Sequence, residues 1–149
     1  MNYRPFHFMN QVLESISIED QFPIYCFYKS NITNVHLGIN IEMIPPLCFE
    51  YSTVEFINLE NIRVVSSEAF SNCEKLINVT FSDKLEYIGP YAFNRCYNLE
   101  SISISSNNKI GIGVYAFSDC HKLDFTIFLK DVSITAINQI KSKYLLPAR

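Results

Sequence analysis

The sequence predicts a β-rich solenoid of the α/β class, built from about five or six stacked coils that carry short helical turns. Two observations predict it: an eight-residue motif recurs every 21 to 24 residues, and a short alternating apolar segment follows each copy. The composition agrees with a folded chain, because 48% of the 149 residues are hydrophobic and only 18% are charged.

The motif A-F-x-x-C-x-x-L occurs three times, with its phenylalanine at Phe70, Phe93 and Phe117. Two weaker copies, in which cysteine replaces the alanine, centre on Phe27 and Phe49. Each coil of a solenoid covers the apolar ends of its neighbours, so a recurring residue forms an internal column. We therefore expect these five phenylalanines to stack in the core with edge-to-face contacts.

The segment after each phenylalanine reads apolar-x-x-apolar-x-apolar, as in Val54, Ile57 and Leu59. The last two apolar positions alternate, which is typical of a strand with one buried face. A second extended segment precedes the next phenylalanine, and in two copies it ends in Gly89 and Gly113, where glycine would permit a tight change of direction. Each coil should then close with a short helical turn over A-F-x-x-C.

The whole chain, residues 1–149, is predicted to be one domain, with an N-terminal cap over 1–12, repeats over 13–128 and a C-terminal cap over 129–149. A solenoid needs caps because its end coils otherwise expose apolar surface. We expect the C-terminal cap to be a helix that ends before Pro147. Its apolar residues recur at near-helical spacing: Ile134, Ile137, Ile140 and Tyr144.

With the motif I-G-x-x-A-F-x-x-C-x-x-L in place from Ile88 and Ile112 onward, the sequence resembles the BspA-like leucine-rich-repeat family. The resemblance covers roughly residues 13–128. It implies a leucine-rich-repeat solenoid with one strand per coil on a continuous sheet. Family members occur in bacteria and protozoa, often as surface or secreted proteins with proposed adhesion roles. An adhesin-like protein that binds a host protein or glycan is therefore an alternative to an interaction module.

Charge and hydropathy exclude several function classes. The net charge is −3 and no basic patch stands out, so we expect no nucleic-acid partner. No run of eighteen apolar residues occurs, so we expect no membrane span. The N-terminal segment shows no secretory signal and the cysteines number five, an odd count, so a reducing cytoplasmic location is expected.

No arrangement of residues predicts catalysis, a metal site or a cofactor. The cysteines fall on two repeat positions that call for small buried side chains: Cys73, Cys96 and Cys120 on one, Cys26 and Cys48 on the other. The histidines His7, His36 and His121 share no metal-ligand spacing. A thiol-based redox protein is a second alternative, and it would require accessible, reactive cysteines.

The outward positions of the strands are the predicted binding surface. They form two columns of small polar residues around one aromatic side chain, beginning at Ser15 and Ser17. Such a nearly uncharged face is suited to a peptide or a sugar. We therefore predict a non-catalytic binding or scaffolding module that contacts another protein through this face. Its candidate residues are Asn34, His36, Phe56, Asn58, Asn78, Thr80, Ser101 and Ser103.

Overall fold

A computed structural model describes residues 4–19, 22–104 and 110–124, and these residues form a solenoid with three walls. Two walls are parallel sheets and the third is a wall of turns. The strand wall contains β1 (Val12–Ile18), β2 (Asn31–Leu37), β4 (Phe56–Leu59), β6 (Asn78–Phe81) and β8 (Ser101–Ile104) in that order. The second sheet contains β3 (Met43–Ile44), β5 (Val64–Val65), β7 (Tyr87–Ile88) and β9 (Gly111–Ile112).

The strand wall follows the predicted alternation. In β4, Ile57 and Leu59 are buried while Phe56 and Asn58 face outward, and β6 and β8 repeat the pattern. The parallel register pairs equivalent positions of successive coils, for example Ile57 with Val79. The apolar-x-x-apolar-x-apolar segments are thus confirmed as strands with one face in the core. The predicted capping helix and the segment 129–149 lie outside the described residues.

The glycines that follow strands of the second sheet do not have the predicted role of permitting a tight change of direction. None of the described glycines has a positive φ, so the chain does not need glycine for a left-handed turn here. Instead, a Cβ placed on Gly89 would lie 2.7 Å from the backbone nitrogen of Ser67, and one on Gly113 would lie 2.7 Å from the carbonyl carbon of Gly89. Glycine is required because the backbones of successive coils approach too closely for a side chain.

The sequence predicts a short helical turn in each coil, and this prediction is wrong. The turn wall stands at these positions instead. Among the described residues no helix occurs, and six segments of consecutive turns stand at this position: 5–10, 24–29, 46–51, 67–72, 90–95 and 114–119. In each segment the residues two before and two after the central phenylalanine have φ between 51° and 60°. A left-handed residue interrupts a right-handed helix, so the segment cannot continue as one.

The hydrogen bonds that join successive coils in the turn wall all run in one direction. Every second N–H group donates to a carbonyl of the next coil: Glu68 to Pro90 at 3.0 Å, Phe70 to Ala92 at 2.7 Å and Asn72 to Asn94 at 2.8 Å. The N–H groups between them bond three residues back within the same turn. Neighbouring coils repeat the arrangement, so backbone donors are satisfied along the wall without a strand or a helix.

The core is a column of rings inside the turn wall. The five predicted phenylalanines are buried and stacked, and Phe8 extends the column to six. Their planes are parallel within 9°, with centroids 4.8 to 5.6 Å apart, so the expected edge-to-face geometry is wrong. Parallel rings follow from the repeat, because equivalent side chains in coils of one backbone shape adopt one orientation. Phe22 and Phe81 supply edge-on contacts from the side.

Candidate interaction surface

The strand wall brings the predicted residues into two columns that cross the strands. The first column pairs Asn34 with Phe56, Phe56 with Asn78, and Asn78 with Ser101. The second places Thr80 between Asn58 and Ser103 in the same register. All eight predicted residues therefore lie on one face, and each is exposed except Ser101, which is half-buried.

A shallow groove of about 330 Å³ lies on this face. Phe56, whose side chain is 46% exposed, contributes its apolar wall. Six of the eight predicted residues line the groove: Asn34, His36, Phe56, Asn58, Asn78 and Thr80. Ser101 and Ser103 do not line it, although the Ser101 hydroxyl donates to Asn78 Oδ1 at 2.5 Å. That contact fixes the orientation of the Asn78 amide.

The sequence reasoning missed Glu60, which supplies a carboxylate to the groove. Asn58 holds this residue in place, since its Oδ1 accepts from the Glu60 N–H at 2.9 Å and its Nδ2 donates to Glu60 Oε2 at 3.2 Å. An asparagine that bonds the backbone two residues on makes a local turn. The available signal was an Asn-x-Glu sequence at the end of a strand. The groove is thus lined by a carboxylate as well as by amide side chains.

A smaller cleft of about 140 Å³ adjoins the groove across His36 and Asn58, which line both. Its other polar side chain is Asn61, and its apolar lining includes Ile41 and Ile62 from the buried core. Together the two concavities form a continuous depression across the coils that contain β2, β4 and β6. A depression of this kind can accept side chains from an extended ligand.

The repeat pattern now has a counterpart among known proteins. A family profile described as the BspA type leucine-rich repeat region matches residues 20–142 in six copies. The chain belongs to this family. No characterised protein and no solved structure matches it. The profile extends past residue 128, where the sequence pattern fades, and the strands of the leucine-rich-repeat stack begin at Val12, before the profile does.

The cysteines of this BspA-type chain are packing residues of the coil. Cys73, Cys96 and Cys120 form a buried column in which each Sγ donates to the phenylalanine carbonyl of the preceding coil, at 2.9, 3.1 and 3.0 Å. All five cysteines are free thiols and all are buried. Burial raises the pKa of Cys26 and Cys73 to about 12. A thiol nucleophile or redox centre needs the opposite, a lowered pKa and access to solvent.

Other chemistry finds no support in the described part of the BspA-type chain. Within residues 4–19, 22–104 and 110–124, no group of three or more His, Cys, Asp or Glu side chains could hold a metal ion. His121 stacks on Tyr97, with centroids 5.7 Å apart, and His7 packs edge-on against Phe8. A search of the same residues finds no helix that is both long and apolar enough to span a membrane.

Proposed function

We propose that this leucine-rich-repeat protein is a non-catalytic module that binds a polypeptide partner through the strand face. The observation that carries the proposal is the groove of about 330 Å³ around Phe56, bordered by asparagine side chains. An exposed aromatic ring surrounded by hydrogen-bonding groups is the composition found at the centre of protein interfaces. The family membership supports the same class of function.

The asparagine amides favour a peptide over other ligands. A side-chain amide offers one acceptor and two donors, which match the N–H and C=O of a peptide bond. Asn78 has its Oδ1 occupied by Ser101, which directs its NH₂ group to other acceptors. Asn58 is held by Glu60, so Asn34 and Asn78 are the two amides that would contact backbone groups of the partner.

The test is selection of peptides from a random display library on the wild-type protein, followed by affinity measurement on two variants. We expect Phe56→Ser to weaken selected peptides by about 2 kcal/mol or more, as removal of a central aromatic anchor does. The matched control is Tyr87→Ser, because Tyr87 is a similarly exposed ring, 40%, on the other sheet. Equal binding to both variants would remove the strand face as the site.

The adhesin-like alternative is distinguished by a glycan array probed with the same three proteins. Binding of a glycan that Phe56→Ser abolishes would replace the polypeptide partner by a sugar at the same face. Labelling with a thiol reagent tests the redox alternative, since we expect the five buried cysteines to react only after denaturation.

A further inference from the structure

The outward side of the turn wall is divided into two halves of different chemistry. On the coils centred on Phe8, Phe27 and Phe49, four aromatic side chains form a surface group that we call the aromatic cluster. Its members are Phe6, Tyr25, Tyr28 and Tyr51. Phe6 is 45% and Tyr51 48% exposed, so large apolar rings face solvent on this half of the wall. Exposed groups of this kind mark contact surfaces more often than single exposed rings do.

The rings of the aromatic cluster are arranged as a continuous set. Phe6 lies 4.7 Å from Tyr25 and 5.5 Å from Tyr28, measured between centroids. Tyr28 lies 5.8 Å from Tyr25 and 6.1 Å from Tyr51, with interplanar angles of 81° and 90°. Where two rings stand at right angles, a group placed beside them contacts the face of one ring and the edge of the other. A planar or compact cation fits such a space, because ring faces are electron-rich.

A cation from the chain itself already occupies part of the aromatic cluster. The ammonium nitrogen of Lys29 lies 5.3 Å from the centroid of Tyr28 and 5.7 Å from that of Tyr51. Both distances are within the range of cation–π attraction. Lys29 is an exposed residue on a flexible stem, so a competing cation could displace it at small cost.

The charges beside the aromatic cluster are mainly negative. The pKa of the Glu50 carboxyl is raised to about 7, mainly by burial and also by the nearby Glu68, while Lys29 acts in the opposite direction. Glu50 is therefore close enough to Glu68 to be repelled by it and close enough to Lys29 to be attracted. A second cation at this position would relieve the repulsion between Glu50 and Glu68 as well as contact the rings.

On its outward side, the other half of the turn wall carries one ring pair among the described residues, Tyr91 and Tyr115 with centroids 5.3 Å apart, in place of the four rings of the aromatic cluster. Polar side chains of this half bond one another: buried Ser118 donates from Oγ to Asn94 Oδ1 of the preceding coil at 2.8 Å, and Asn72 Nδ2 donates to the buried Ser71 Oγ of its own coil at 3.0 Å. The contrast is informative because the backbone of the two halves is the same. The difference between them lies in side chains alone, which makes the second half an internal control.

From this geometry we propose that the aromatic cluster binds an arginine-bearing segment of a partner protein, with Lys29 acting as an intramolecular stand-in that the arginine displaces. A guanidinium group stacks on aromatic faces and pairs with a carboxylate at the same time, which an ammonium group does less well. This site is separate from the strand face, so the proposal does not depend on the function proposed there.

The probe is a fluorescein-labelled peptide of alternating glycine and arginine with three arginines, compared with the same peptide in which citrulline replaces arginine. Citrulline keeps the shape and removes the charge. We expect the arginine peptide alone to bind in fluorescence polarisation. Tyr28→Leu and Tyr51→Leu keep the net charge of the protein, and each should weaken binding about 2- to 5-fold, the effect of losing one exposed cation–π contact.

Lys29→Met is the decisive variant, because the proposal predicts that it binds the arginine peptide more tightly than the wild type does. Removal of the stand-in should tighten binding of the arginine peptide about 2- to 5-fold, a result that a poorly folded variant cannot produce. Tyr91→Leu, on the other half of the turn wall, is the matched control and should leave binding unchanged, as should Phe56→Ser. Equal affinity for all variants, weaker binding to Lys29→Met, binding of the citrulline peptide, or no binding to the wild type would each overturn the proposal.

Discussion

The stacked phenylalanine column makes Phe70→Leu the most informative stability variant. Phe70 is fully buried between Phe49 and Phe93, at 5.0 and 5.2 Å, with planes parallel within 1°. Leucine keeps an apolar side chain but removes both ring pairs. Each pair contributes about 0.5–1.5 kcal/mol beyond its buried area, so the lost stacking amounts to about 1–3 kcal/mol. The change of shape in a packed core adds about 1 kcal/mol.

Phe81→Leu is the matched control for this prediction. Phe81 is equally buried but makes one edge-on pair, with Phe93 at 6.5 Å. The shape change is common to both variants, so Phe70→Leu should cost about 0.5–1.5 kcal/mol more, the value of one further pair. Urea unfolding followed by circular dichroism measures the two free energies of unfolding. If Phe81→Leu were as costly as Phe70→Leu, parallel stacking would not contribute to stability as reasoned here.

Three further predictions concern single positions in the coil. Ser30→Ala should raise the free energy of unfolding by about 1 kcal/mol, because the buried Ser30 hydroxyl has no hydrogen-bond partner among the described residues. Ser118→Ala should lower the free energy of unfolding by about 1 kcal/mol, because it removes a hydrogen bond to Asn94. Thermal unfolding of both variants checks that the two effects have opposite signs. Gly89→Ala should cost about 1–3 kcal/mol through its close contact with Ser67, and a cost near zero in urea unfolding would contradict that contact. Stability should fall from about pH 9 towards pH 12, because burial raises the pKa of Cys73 from 9.0 to about 12, so the folded state keeps a proton that the unfolded chain loses. In Cys73→Ala the loss of stability between pH 8 and pH 10 should be smaller by about 1.4 kcal/mol in total, measured by urea unfolding under reducing conditions, and an unchanged loss would show that Cys73 does not titrate on unfolding.

Much of the strand wall was predictable because its signal is periodic. Alternation along Phe56–Leu59 identifies the outward side chains, and the recurrence of the phenylalanine in every coil sets the register from coil to coil. Those two facts are enough to place Asn34, Phe56 and Asn78 side by side. The groove itself was not predictable, since its depth and the presence of Glu60 depend on how the chain turns after the strand.

The turn wall was not predictable, for a specific physical reason. Left-handed residues are usually signalled by glycine, which adopts a positive φ at no steric cost. Among the described residues the twelve left-handed positions contain no glycine, and they include bulky residues such as Tyr51, Leu47 and Arg95. Hydrogen bonds to the next coil hold these residues in place, so the conformation is imposed by stacking. Local sequence preference favours a helix for A-F-x-x-C, and the tertiary bonds override it.

The aromatic cluster was not predictable from the repeat pattern. Its residues lie on different coils and on different repeat positions, and the position of Tyr51 carries the polar side chains of Asn72 and Arg95 on later coils. A feature confined to three coils leaves no periodic trace. Only the stacking of one coil on the next brings Tyr51 beside Tyr28, so that both rings lie within reach of Lys29.

The uniform direction of the turn-wall hydrogen bonds bears on how such a chain changes length over evolutionary time. Each coil presents carbonyl groups towards the preceding coil and N–H groups towards the following one, at the same three places. A duplicated or deleted coil therefore leaves two compatible surfaces, provided that the exchange is a whole unit and keeps the order of the chain. A unit whose N–H and carbonyl sides were exchanged would place N–H groups against N–H groups. This architecture therefore gains or loses length only in whole coils.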